Sequence, residues 1–555
     1  MKLKVGIFFG GPSREREIAF AGGRTVFDNL NKTLFEPVPL FIDSHRNVVL
    51  LDWHYVYKGS IRDFFPPVEA LPPSPHGFQV YVESLGQLSP VEQRELLSKI
   101  GRPLDWSELP GLIDVAFLAL HGEFGEDGQI QHRLTELGIA YTGSGIRASE
   151  IGIDKALQKE LMQGKGFPTP PIQVLSRQDW LNGNVHDRYA AASQTIGFPL
   201  VVRPARQGSS IGVSIIEEKE GLEAFEWSVN RAFFRELLPL DEWQDRSEYE
   251  RLEYVKLLSD IRDGLGFPMT VTLGSHEATI YHPEELLTYL NEQTEQAEYL
   301  SQVFVLEGLQ SEDNVILEGF IRGKEFSCIV IRTEDGSAVA LPPTEIIKGG
   351  EVFDYRSKYL PGLSRKETPI KLPDENINAI RRECERLFTQ LGFQVYARID
   401  GFFTEEGKIF LNDPNTTSGM LPSSFFFHQA AEIGLNPSQF LTYVLRISLQ
   451  ERLAEQPEQA AWREQLHRLD EGIARLQQAG QQKQRIGVLL GGYSYERHIS
   501  VESGRNVFEK LASSEKYAPV PIFLSGNDQR QELYQLPINL LLKDNADDIR
   551  DKIAH

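Results

Sequence analysis

The chain has 555 residues and a formal charge of −22 at neutral pH, enough length for three to four domains and too acidic to coat a polyanion, because neutralising phosphates needs clustered cations. With 41% apolar and 25% charged residues it has ordinary globular composition, and its two cysteines, Cys328 and Cys384, exclude a disulfide framework and point to a reducing, cytoplasmic setting. No apolar run approaches the roughly 20 residues of a membrane span, and the short apolar stretch 5–9 ends at Gly10-Gly11, so it reads as a buried strand and not a signal peptide.

In chain order, residues 1–150 predict an α/β domain: a strand, a Gly-Gly turn, an amphipathic helix, then further strands up to 114–120 and the turn at 141–145. Its middle, about 50–110, is rich in proline and aromatics and reads as an insertion. The glycine-punctuated loop 121–128 follows a buried strand, the place where open α/β sheets bind ligands. Residues 151–330 form a second domain. It opens with a helix at Asp154-Lys155, followed by a strand at 199–204 and the loop Gly208-Ser209-Ser210-Ile211-Gly212. Small residues there let backbone N–H groups reach phosphate oxygens, with Arg203 and Arg206 supplying charge; a plain hairpin turn is the other reading. Residues 231–310 are acidic and aromatic, helical at 283–300, and read as a second insertion; 315–332 read as a strand pair.

Residues 331–450 hold a third α/β block with the strongest local chemistry. Two strand-like runs flank Glu406-Gly407 as a hairpin. With those two as the loop residues, Asp400 falls opposite Asp413 and Arg398 opposite Asn415, all on one face. Paired carboxylates so close call for a cation, and hard oxygen ligands suit Mg²⁺. Residues 451–484 read as a linking helix with an apolar seam at Trp462, Leu466, Leu469, Ile473 and Leu476. Residues 485–555 repeat the start of the chain: 486–511 match 5–30 at a constant offset of 481. The expectation is a truncated second module.

Taken together, these segments resemble the D-alanine–D-alanine ligase family of the ATP-grasp superfamily. The resemblance is carried in order by Gly10-Gly11-Pro12-Ser13-Arg14-Glu15, His121-Gly122, Tyr141-Thr142-Gly143, Asp154-Lys155, Gly208-Ser209-Ser210, Asp354-Tyr355-Arg356-Ser357-Lys358-Tyr359, Arg398-Ile399-Asp400 and Asp413-Pro414-Asn415 with Gly419-Met420. It implies an α/β (α+β) fold of three ATP-grasp domains and ATP-dependent joining of two D-alanines through an acyl phosphate, for peptidoglycan precursors. Lys155 and Arg203 would hold ATP phosphates, Ser209 and Ser210 would close over them, and Glu318 and Glu325 would face adenine and ribose. Asp400, Asp413 and Asn415 would bind two Mg²⁺, with Mn²⁺ an alternative. Glu15 would fix the ammonium of the first D-alanine beside His121, and Ser424 the carboxylate of the second. Lys358 and Tyr359 would come from a loop that shuts the site, and Arg398 with the Gly419 backbone would stabilise the oxyanion. The resemblance also implies a homodimer, while the acidity and the lack of a long apolar run lead to the expectation of no nucleic-acid or membrane partner. The family usually has lysine at 203, glutamate at 413 and proline at 418, where this chain has Arg203, Asp413 and Ser418. Two alternatives stay open: an ATP-grasp ligase for another amino- or hydroxy-acid pair, and a catalytically idle nucleotide-binding module.

Overall fold

In this computed structural model, residues 2–554 are described apart from 298, 309, 349–363, 423, 480–482 and 544. The first sheet comprises β1 (Leu3–Gly10), β2 (Phe35–Ile42), β3 (Val48–Leu51), β4 (Gly101–Leu104), β5 (Val115–Leu118) and β6 (Ala140–Tyr141), ordered β4-β3-β2-β1-β5-β6. β1 runs parallel to β2 and β5. Both its faces are covered, which is why Val5, Ile7, Phe8 and Phe9 form a continuous buried run without alternation. The chain leaves β1 through Gly10 and Gly11 at φ 87° and 96°. A Cβ on Gly10 would sit 2.5 Å from the Ile42 carbonyl oxygen, so glycine is required there. This turn directs residues 12–15 to the carboxyl end of the sheet.

Segment 50–110 is more than an insertion, because β4 pairs antiparallel with β3 and completes the first sheet. Its apolar residues, such as Val56, Phe64, Phe65 and Leu97, are buried one by one from short turns and a single helix, Pro90–Ser98. That scatter has neither of the periods a sequence reader looks for.

The second sheet contains β7 (Ile172–Ser176), β8 (Leu200–Pro204) and β9 (Ser214–Ile216). The inserted segment then builds a sheet of its own from β10 (Arg235–Pro239), β11 (Met269–Leu273), β12 (His276–Ile280) and β13 (Val303–Gly308), ordered β10-β13-β11-β12. β14 (Asn314–Gly319) returns to lie between β7 and β8. The third sheet is organised around β15 (Lys324–Arg332), with β16 (Ala338–Ala340), β17 (Thr344–Lys348), β18 (Ser364–Glu367), β19 (Tyr396–Phe403) and β20 (Ile409–Asn415), ordered β18-β17-β15-β19-β20 with β16 also on β15. The expected strand pair at 315–332 is therefore corrected. β14 and β15 do not pair; they belong to facing sheets, and 320–323 crosses from one to the other. The two strands exist, but β14 pairs with β7 and β8 while β15 pairs with β16, β17 and β19.

The helix Ala460–Ala479 lies on the main body: Trp462 and Leu469 are buried, and the Trp462 indole N–H donates to the Gly138 carbonyl at 2.9 Å. The repeat then forms β21 (Gln484–Gly491), β22 (Tyr517–Gly526) and β23 (Gln531–Gln535), with β21 parallel and β23 antiparallel to β22, as β1 and β3 are to β2. Gly491 and Gly492 repeat the positive φ of Gly10 and Gly11. The repeat docks by its own helix Arg497–Ala512 against the equivalent first-copy helix Arg16–Asn29, where the Lys32 N–H donates to the Ser513 carbonyl at 3.0 Å and the Ser513 hydroxyl donates to the Asp28 carbonyl at 3.1 Å. Among the described residues no helix is long and apolar enough to cross a membrane.

Candidate functional site

A cleft opens between the second and third sheets, lined by Lys155, Arg203, Gly208, Ser210, Glu318, Glu325, Asp400, Asn412 and Asp413 among others. Its floor starts from a helix cap. The Asp154 carboxylate accepts the N–H groups of Ala156 and Leu157 at 3.1 Å, starting the helix Lys155–Gly164. Lys155 and Lys159, one turn apart, share its inner face. Lys155 Nζ lies 3.8 Å from Asp413 Oδ1, and Lys159 Nζ lies 3.1 Å from Glu318 Oε2. Arg203, from β8, spans the same two acids, with Nη1 3.4 Å from Glu318 and Nη2 4.0 Å from Asp413. Burial alone would raise Glu318, yet Lys159 and Arg203 hold its carboxyl below the usual range. Burial lowers Lys159 against the pull of Glu318. Lys155, Lys159 and Arg203 thus converge on Glu318 and Asp413, and Arg203 Nε and Nη2 are buried without a hydrogen-bond partner. An anionic ligand fits that arrangement.

The opposite wall is the β19–β20 hairpin. Asp400 pairs with Asp413 and Arg398 with Asn415. Asp400 accepts the Ser327 hydroxyl at 2.7 Å and sits 3.1 Å from Arg398 Nη2. Next to the turn the register is one residue off the expected one, and a bulge at Asn412 restores it at the acids. A bulge turns two successive side chains to one face, so Asn412 and Asp413 both line the cleft and Asn412 accepts Lys159. The Asn415 amide N donates to the Asp413 carbonyl at 2.8 Å, which leaves Oδ1 as the atom for a cation. The described residues contain no group of three or more His, Cys, Asp or Glu able to hold a metal ion. The oxygen set on this face, two aspartates and an amide, suits a divalent ion that takes its remaining ligands from water and phosphate.

The glycine–serine loop roofs a second, adjoining cluster. Ser209 and Ser210 have φ of 52° and 61°, sparsely populated for residues with a side chain. The Ser209 hydroxyl donates to the Glu15 carboxylate. Gly208 lies flat on that carboxylate, where a Cβ would fall 2.4 Å from Glu15 Oε2. Burial, then the Glu126 charge, pushes the Glu15 carboxyl above its usual value. Glu126 accepts the Gly122 N–H at 2.6 Å and the Thr417 hydroxyl, and lies 3.7 Å from His121 Nδ1. Burial opposes it, but Glu126 and Glu15 hold the His121 imidazole above its ordinary value; the Arg398 charge bears on both His121 and Glu126. His121 Nε2 is buried without a hydrogen-bond partner.

The structure thus brings together Lys155, Arg203, Ser210, Glu318, Glu325, Asp400 and Asp413 in the cleft. Glu15, His121, Ser209 and Arg398 gather in the adjoining cluster. Gly419 follows Thr417 by two residues. Ser424 is buried at the start of the helix Phe425–Glu432, its hydroxyl without a partner, and does not line the cleft. Lys358 and Tyr359 lie outside the described residues. Sequence reasoning missed Lys159, which its spacing from Lys155 could have revealed, and Glu126, which sits in the glycine-punctuated loop 121–128. It also missed Asn412, for which no local signal exists.

Two family models match the chain: "D-ala D-ala ligase N-terminus" over 4–144, and "D-ala D-ala ligase C-terminus" over 161–235 and 292–446, passing over 236–291. The D-alanine--D-alanine ligase of Pelotomaculum thermopropionicum is 28% identical over 338 residues, covering 61% of this chain and 81% of its own. That of Pseudarthrobacter chlorophenolicus is 24% identical over 463 residues, 81% of this chain and 94% of its own. Among solved structures, the D-alanine-D-alanine ligase of Coxiella burnetii superposes with a TM-score of 0.52 at 18% identity, over 82% of this chain and 98% of that one. The VanG D-Ala:D-Ser ligase of Enterococcus faecalis gives 0.51 at 20% identity, over 81% and 100%. Both share the fold.

Proposed function

The chain belongs to the D-alanine–D-alanine ligase family, an enzyme family, and from that premise we propose that it joins two D-alanines at the expense of ATP, through an acyl phosphate, to supply peptidoglycan precursors in the cytoplasm. One observation carries this reading: a cleft with the buried cations Lys155 and Arg203, two of the Arg203 nitrogens lacking a hydrogen-bond partner, and a buried carboxylate able to take an ammonium lie under the same loop, so a nucleotide phosphate and an amino acid would meet there. Residues 1–150, 151–330 and 331–450 would be its working domains, with 451–484 as linker and 485–555 as an added copy.

Lys155 and Arg203 take the phosphates under Ser209 and Ser210. Glu325 faces the ribose and Glu318 the adenine, the Glu318 charge being shared with Lys159 and Arg203. Mg²⁺, or Mn²⁺, on Asp400, Asp413 and Asn415 would neutralise charge on the transferring phosphoryl group. Glu15 orients the first D-alanine by its ammonium, next to His121. A carboxylate is a poor electrophile, so its oxygen first attacks the γ-phosphorus and ADP leaves. The second D-alanine, its carboxylate at Ser424, attacks the acyl carbonyl with its amine, and phosphate departs. Arg398 and the Gly419 N–H stabilise the oxyanion between those events. Lys358 and Tyr359 are assigned to closure by sequence alone. Excluding water protects the acyl phosphate.

The test is ADP release by the purified chain with Mg²⁺ and a panel of D- and L-amino acids, with product masses read alongside. D-alanine-dependent ADP release with a D-alanyl-D-alanine mass is expected. ADP release that no amino acid stimulates would refute the ligase reading. A mixed product would move the second substrate elsewhere.

A further inference from the structure

We propose that the inserted sheet is a clamp that holds the glycine–serine loop shut on Glu15, and that Arg14 is its positioning residue. The inference rests on the reaction proposed above, although its first measurement does not need that reaction.

Arg14 is 4% exposed and spends its guanidinium on the insertion. Nη1 donates to the Ile261 carbonyl at 2.8 Å, and Nη2 to those of Leu265 at 2.9 Å and Gln310 at 3.2 Å. Its Cζ lies 3.7 Å from the centroid of the Phe234 ring. The contact is returned by Gln310 Nε2, which donates to the Pro12 carbonyl at 3.3 Å. A charged fork that gathers four carbonyls, that of Gly264 at 3.5 Å being the longest contact, and stacks on a ring fixes the position of its own backbone. The next residue along that backbone is Glu15.

The insertion also grips the loop from the other side. Its apolar core, built on Trp243, Leu258, Leu286 and Phe304, takes in Ile211 from the loop and Ile18 from the helix after Glu15. The insertion therefore holds the neighbours of both partners of the Ser209–Glu15 contact, Ile211 on one side and Arg14 and Ile18 on the other, and bridges them. The closed roof has a measurable consequence. The cleft beneath encloses about 130 Å³, below the roughly 300–1,000 Å³ of ordinary ligand pockets, so a nucleotide enters only when the loop lifts. Loop strain at Ser209 and Ser210 favours lifting, and the clamp opposes it.

The experiment is hydrogen exchange on the full chain without substrates, followed by steady-state kinetics. The amides of Ile211 and Val213, which donate within the loop to Gly208 and Ser210, are the reporters. Arg14→Ala is expected to speed exchange in 206–213 at least tenfold while leaving β8 unchanged. It should also raise the D-alanine KM tenfold or more, with a smaller fall in kcat and less dipeptide formed per ADP as water reaches the acyl phosphate. Arg14→Lys, which keeps the charge but not the fork, should recover part of each effect. Phe234→Leu, which keeps apolar volume but removes the ring face, should act in the same direction more weakly, and it stands in if Arg14→Ala does not fold. Unchanged loop exchange, exchange raised equally everywhere, or faster loop exchange with unaltered KM and coupling overturns the clamp. If the unmodified chain releases no D-alanine-dependent ADP, the proposed reaction fails while the exchange measurement still decides the clamp.

Discussion

Arg203 stands where the resemblance implies a lysine, and its contacts bear on what an arginine does there. Its fork approaches Glu318 with one nitrogen and Asp413 with another. A lysine is a point charge and would serve one of the two. Asp413, one methylene shorter than the usual glutamate, stops 4.0 Å from that fork. The two departures are therefore expected to compensate as a pair. Arg203→Lys alone is expected to raise the KM for ATP about tenfold, roughly 1.4 kcal/mol. Asp413→Glu alone pushes a longer arm into the space Arg203 fills and should cost a similar factor. The double variant restores lysine with glutamate and should return to within about threefold, a coupling of at least about 2 kcal/mol. Kinetics of the four proteins test this. Additive losses would show that the residues act independently, and gains in turnover from the single changes would mark the natural site as degenerate. Both departures were legible at single positions in the sequence, but their proximity was not, because Arg203 and Asp413 lie on strands of different sheets.

At the scale of elements, the repeat's docking is titratable. Glu509 lies in the helix-to-helix contact, 6% exposed, with Oε2 3.5 Å from the Asn29 amide and Asp28 and Arg505 near by. Burial raises its pKa from 4.5 to about 7, against the pull of Arg505. A raised acid stabilises the docked state fully below pH 4.5, and that contribution is lost as pH climbs through about 7. Its size is at most about 3 kcal/mol. Unfolding of the wild-type chain and of Glu509→Gln, followed by calorimetry from pH 5 to pH 8, should show the wild-type transition of the repeat falling relative to the variant. Parallel curves would place the carboxylate outside the contact. The match between the two copies could be read directly from residues 486–511. How the repeat packs could not. Phe8 is fully buried while its equivalent Leu489 is 63% exposed, because what covers a sheet face comes from distant sequence. The hairpin teaches the same in miniature. Counting from Glu406-Gly407 placed Asp400 against Asp413, but the turn actually closes from Thr404 to Lys408, and the bulge at Asn412 supplies the missing residue. The acids meet as expected through two offsetting local departures. The insertion's four strands stayed hidden because turns and helices interrupt them before any alternation builds up.

On the scale of the whole molecule, a chain of charge −22 has to admit a polyanionic nucleotide. The cleft cations Lys155, Lys159 and Arg203 are buried and partly neutralised by Glu318 and Asp413. Their field is therefore short-ranged, whereas the surface excess of acid acts at a distance. At about 0.01 M salt the Debye length is roughly 30 Å and an approaching nucleotide feels the net charge; at about 0.15 M it is roughly 8 Å and only the cleft matters. Adding salt should therefore speed association across that range, by about threefold, the reverse of ordinary attractive steering. Stopped-flow mixing of the chain with a fluorescent ATP analogue and Mg²⁺ measures this directly. A rate that falls with salt would mean that the cleft's positive field projects beyond its mouth. Arg206, exposed at the base of the loop and 3.3 Å from Asp154, is the cation placed to project it. If Arg206→Ala abolished such a fall, that residue would be its source. A rise that survives the substitution would locate the barrier in the acidic surface as a whole.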